Sequence, residues 1–175
     1  MKELKRKIVY AIMILLCFFM ESVLFGPLSI ASIKPNLLLI ITASFGFMRG
    51  KKDGLFIGFF AGLLLDIFFG NYLGFYAFTY MMLGYSNGFF RRIFFDEDVK
   101  LPLVLISGSN LIYGFFIYFC FFMLQGQFNF GHHLTNIIIP ETLYTILFAL
   151  IIYRIILRIN QRLDDEEQRS ASKFV

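Results

Sequence analysis

The charged residues of this chain fall in short clusters between long apolar stretches, and that layout constrains the fold more than any single motif. Six stretches stand out, at about 8–25, 36–48, 54–70, 72–90, 101–124 and 139–157. A transmembrane helix needs about 20 predominantly apolar residues, and five of the six approach that length. The second is short, and its first turn is expected to start further back, at Ile33, with Pro35 near the helix start where a missing N–H costs least. Hydrophobic residues make up 58% of the 175 and charged residues only 16%, whereas an ordinary soluble domain is about 45–50% apolar. One core cannot bury such an excess, so the bilayer is the expected solvent. The fold class implied is all-α: a polytopic six-helix membrane domain over residues 1–163, followed by a polar cytoplasmic tail at 164–175.

The basic residues give this bundle an orientation. Lys2, Lys5, Arg6 and Lys7 precede the first stretch; Arg49, Lys51 and Lys52 follow the second; Arg91, Arg92 and Lys100 lie between the fourth and fifth. Arg154, Arg158, Arg162, Arg169 and Lys173 close the chain. These four regions hold 15 of the 16 lysines and arginines, and the intervening loops hold only Lys34. Basic loops stay in the cytoplasm, so alternate connections are internal, an even number of crossings is required and the second stretch must span; six spans with both termini cytoplasmic are expected. The net charge of +4 is thereby assigned to span orientation and anionic headgroups, not to nucleic acid. Ile152, Ile155, Ile156, Ile159 and Leu163 carry an apolar face past the last crossing, which predicts a helix to about Leu163. The acidic run at 164–167 is expected to be solvated.

The N-terminus has a basic flank, an apolar stretch and a small-x-small site at Ser29-Ile30-Ala31, the outline of a cleaved signal peptide. The same features fit a retained first span, which is the expectation here. Cys17 and Cys120 lie inside apolar stretches and read as small hydrophobes.

Gly46, Gly50, Gly54, Gly58 and Gly62 are spaced four apart, and Gly70/Gly74 and Gly84/Gly88 repeat the interval. Glycines four apart share a helix face and let a neighbouring backbone approach. The third span is therefore expected to be a central packing helix, meeting either its own bundle or a partner. Asp66 continues this ladder, although a carboxylate inside a span costs about 2.5–3.5 kcal/mol and normally faces a partner or a wet cavity. Glu21, late in the first span, and Glu141, after Pro140 at the start of the sixth, share its depth, and Asn36 opens the second span on the same side. These four residues predict a polar, outward-facing pocket or docking site; Glu141 could equally complement a helix dipole. His132 and His133 sit in an outer loop without ligand spacing around them, and Asp96-Glu97-Asp98 reads as a solvated turn. No catalytic or phosphate-binding motif is present, so neither enzyme activity, nor a metal, nor a cofactor is expected.

Pro35-Asn36-Leu37-Leu38-Leu39, the stretch from Gly58 to Asp66 reading G-F-F-A-G-L-L-L-D, Leu73-Gly74 and Gly84-Tyr85-Ser86-Asn87-Gly88 resemble the rod shape-determining MreD family over nearly the whole chain. The resemblance implies a multi-pass scaffold of the bacterial cytoplasmic membrane, without enzymatic activity. Its implied partners are an MreC-like bitopic protein and, through the elongation complex, MreB, RodA and a class B penicillin-binding transpeptidase. The implied fold is also similar to the substrate-binding subunits of energy-coupling-factor transporters, which is the alternative function.

Overall fold

The computed structural model describes residues 2–24, 33–70, 72–93, 100–121 and 130–171. The cleavage-like Ser29-Ile30-Ala31 and the Asp96-Glu97-Asp98 turn lie outside them. The described residues are helical with no strand. Helix α1 runs Lys2–Phe19 and continues as a π-helical turn over Met20–Leu24; α2 is Leu37–Arg49 and α3 is Lys51–Phe69. Helix α4 is Phe75–Asn87 with a 3-10 extension over Gly88–Ile93, and α5 is Lys100–Phe121. A short α6, Phe130–His133, passes through a π-helical segment, Leu134–Ile138, into α7, Ile139–Ala171. His132 and His133 are thus helical, where a loop was expected.

The six helices α1–α5 and α7 run alternately up and down. At one end, here the Asn36 end, α1 and α3 finish while α2, α4 and α7 begin. At the other, basic end, Arg6 of α1 and Asp164 of α7 are in contact (2.9 Å), so the start of α1 and the late turns of α7 share one side.

Helix α2 is the centre of this arrangement. Twelve of its 13 residues are buried, and it meets α1, α3, α4, α5 and α7. It starts at Leu37, with Asn36 as its N-cap, and not at Ile33. At about 1.5 Å per residue it is only about 20 Å long, against a hydrocarbon thickness of about 30 Å. Other helices surround it on all sides, and polar groups at its start find protein partners. Expecting α3 to be central was therefore off by one helix. α3 buries only its small-residue face (Gly54, Ile57, Gly58, Ala61, Gly62 and Asp66) and turns Phe56, Phe60, Ile67 and Phe68 outward.

That small face packs on α4, backbone against backbone. A Cβ on Gly58 would strike the Tyr80 carbonyl, one on Gly62 the Tyr76 carbonyl, and one on Gly54 the Gly84 carbonyl. Gly84 faces Gly54 in return, and Gly88 lies against Lys51. The ladder is not one continuous face, however. Gly50 breaks it at the α2–α3 corner with φ +100°, a conformation only glycine adopts cheaply. Gly70 and Gly74 form the α3–α4 turn instead of a packing pair: Gly70 caps α3, and Gly74 takes φ +96° with open space around it.

Polar side chains tie the remaining helices together. Asn87 of α4 donates to Ser109 of α5 (2.7 Å), and Asn110 of α5 donates to Thr142 of α7 (3.0 Å). Such bonds contribute about 0.6 kcal/mol each within a bilayer. Outside the core, Val104, Ile112 and Phe119 of α5 and Leu147, Ile151 and Ile155 of α7 are exposed, a belt that is apolar far beyond what a water-facing surface carries. α5 and the helix from Phe130 to Asp165 are each long and apolar enough to cross a membrane.

Candidate functional site

The start of α2 is where the site is built. A helix begins with N–H groups that have no partner in the helix itself, and in an apolar interior each must be satisfied. The Asn36 side chain accepts from the Leu39 N–H (3.0 Å) and from the Tyr80 hydroxyl of α4 (2.7 Å). Its backbone N–H donates to Thr145 Oγ1 of α7 (3.1 Å). The Leu38 N–H donates to the Glu21 carboxylate, which swings in from the π-helical end of α1 (3.1 Å). One helix start therefore collects side chains from α1, α4 and α7, and the partial positive charge of that terminus favours the Glu21 carboxylate.

Beside it lies a cavity of about 410 Å³, within the range of small-molecule sites. Glu21, Ser22, Lys34, Asn36 and Glu141 give it polar groups; Tyr76, Tyr80 and Tyr113 give it ring faces and hydroxyls, and Phe18, Leu65 and Phe69 close its apolar wall. Tyr80 and Tyr113 meet edge to face, with centroids 5.5 Å apart. The chain from Phe130 to Ala171 is continuously helical, so Glu141 lies well inside a helix and complements no free terminus. Pro140 explains the π-helical segment before it: proline clashes with the carbonyl four residues back, and the wider turn, in which the Ile139 N–H bonds to the Leu134 carbonyl, takes up the misfit.

Of the four residues singled out in the sequence, Asn36, Glu21 and Glu141 line this cavity, and Asp66 does not join them. Asp66 is 3% exposed and caps α4 from α3: Oδ1 accepts from the Tyr76 N–H (2.9 Å) and Oδ2 from the Ala77 N–H (2.8 Å). Its insertion cost is met by two charge-assisted bonds, and Gly70 and Gly74 make the turn tight enough to bring α4 under it.

A second polar cluster sits at the basic end. Asp164 accepts from Arg6 (2.9 Å) and from Arg49 (2.5 Å), and Arg49 Nε also donates to Asn160 Oδ1 (2.7 Å). The start of α1, the end of α2 and the late part of α7 are thereby clasped. Asp164 is thus held against the bundle, where the acidic run at 164–167 predicts a solvated residue. The missed signal was the buried stripe Tyr153, Ile156, Asn160, which Asp164 extends by one more turn; the Ile155 used to extend the apolar face is in fact exposed. Among the described residues no group of His, Cys, Asp or Glu could hold a metal ion. Cys17 is buried in the core and both cysteines are free.

The family model described as rod shape-determining protein MreD matches residues 3–162 of this chain. Neither the curated proteins nor the solved structures contain a match.

Proposed function

We propose that this chain, which belongs to the rod shape-determining MreD family, is a non-enzymatic, multi-pass scaffold of the bacterial elongation complex. In this reading it crosses the cytoplasmic membrane six times with both termini inside. It binds an MreC-like bitopic protein, and through it the MreB cytoskeleton, RodA and a class B transpeptidase, so that lateral wall synthesis stays coupled to cell shape. The observation that carries the proposal is the family match over residues 3–162. The clustering of basic residues supports the orientation: Arg6, Arg49 and Asp164 meet at one end, which becomes the cytoplasmic end, while Asn36 and the cavity face outward.

Depletion of the protein in its own bacterium tests this. Rods are expected to round into spheres, with restoration by the wild-type chain. Unchanged rod width and length after full depletion would contradict the proposal.

A further inference from the structure

We propose that the cavity at the start of α2 binds a primary ammonium group, with Glu141 as its counter-ion. Two carboxylates and one amine line this cavity: Glu21, Glu141 and Lys34. Glu21 is already engaged, since it accepts from the Leu38 N–H and feels the Lys34 ammonium. Glu141 accepts no hydrogen bond and makes no ion pair among the described residues, and its strongest electrostatic neighbour is Glu21, a like charge. One carboxylate is therefore left without a partner among the described residues, in a chamber walled by the rings of Phe18, Phe69, Tyr76 and Tyr113. Aromatic faces attract cations, and a carboxylate at membrane depth normally finds a positive partner. A single ammonium supplies both interactions; an anion would meet two carboxylates, and a neutral apolar guest would leave Glu141 unpaired. The volume of about 410 Å³ admits a lipid head group or a small amine. Such binding is independent of which proteins the scaffold holds.

Two sources carry this chemistry, the head group of phosphatidylethanolamine and a free amine, and the experiment separates them. The full chain is placed in nanodiscs of phosphatidylglycerol, with or without phosphatidylethanolamine, and thermal unfolding is followed. Free ethanolamine, or ethylene glycol as its neutral counterpart, is added to the discs lacking phosphatidylethanolamine. Stabilisation by phosphatidylethanolamine alone assigns the lipid, and stabilisation by free ethanolamine assigns a soluble amine. In either case Glu141→Gln should weaken the response at least tenfold without lowering the unliganded midpoint, because Glu141 gives up no bond and the like charge beside Glu21 is removed. Equal stabilisation by ethylene glycol, an equal response in Glu141→Gln, or no response to either ammonium source would overturn the proposal.

Discussion

Gly58→Ala is the smallest perturbation that reads the α3–α4 contact. The new Cβ would overlap the Tyr80 carbonyl oxygen, lie 2.7 Å from its carbon and 3.0 Å from the Met81 nitrogen. All three are backbone atoms and cannot swing aside, so the two helices must part. Gly54–Gly84 and Gly62–Tyr76 belong to the same seam and would open with it. Overpacking of this kind costs about 1–3 kcal/mol, and leucine at the same position should exceed that range. Gly108 in α5 is the internal control, since a Cβ there meets nothing within 4 Å. Gly108→Ala should be neutral or stabilising by up to about 1 kcal/mol through helix propensity. Titration of the detergent-purified protein with sodium dodecyl sulfate, followed by circular dichroism, compares the two. A loss of stability is expected for Gly58→Ala and none, or a gain, for Gly108→Ala; equal shifts of the same sign would refute the close backbone packing.

Asp66→Leu should cost about 2–4 kcal/mol, because two α4 N–H groups lose a charged acceptor in an apolar setting. Asp66→Asn, which keeps one acceptor, should cost about half as much in the same titration, and equal, negligible losses would contradict the cap. A double-mutant cycle of Arg49→Met with Asp164→Asn should give a coupling of about 1 kcal/mol, reduced by salt since Asp164 is partly exposed; zero coupling at low salt would remove the clasp. In a chain lacking Cys17 and Cys120, single cysteines at positions 34 and 132 should react with an impermeant thiol reagent on intact spheroplasts, and those at 49, 91 and 173 should not. Labelling of position 91 would overturn the six-crossing orientation.

Helix positions were legible because apolar length and basic punctuation are local properties. The stretch at 101–124 became α5 at Lys100–Phe121, and the isolated second stretch became α2, ended at the Gly50 corner. Partners were less legible because they depend on which helices lie side by side. Asp66 stood out as a charge on a glycine face, yet its ligands are backbone N–H groups, which no residue pattern encodes. Glu21 and Asn36 drew attention as polar residues at one depth, but their shared task at the α2 start emerges only once α1 and α4 flank that helix. Asp164 looked solvated because Arg6 lies 158 residues away in the sequence, and only the central placement of α2 brings α1 and α7 to the same corner. Gly70 and Gly74 kept the spacing of a packing pair, although the turn that lets Asp66 reach α4 claims them.

The scaffold reading is tested most directly by in-cell crosslinking followed by affinity purification of the tagged full-length chain and mass spectrometry. An MreC-like bitopic protein should be the dominant partner, accompanied by elongation enzymes, and the Gly58→Leu chain, if it accumulates at all, should lose it. Recovery of paired coupling ATPases without any elongation protein would contradict the scaffold and assign the molecule to solute uptake.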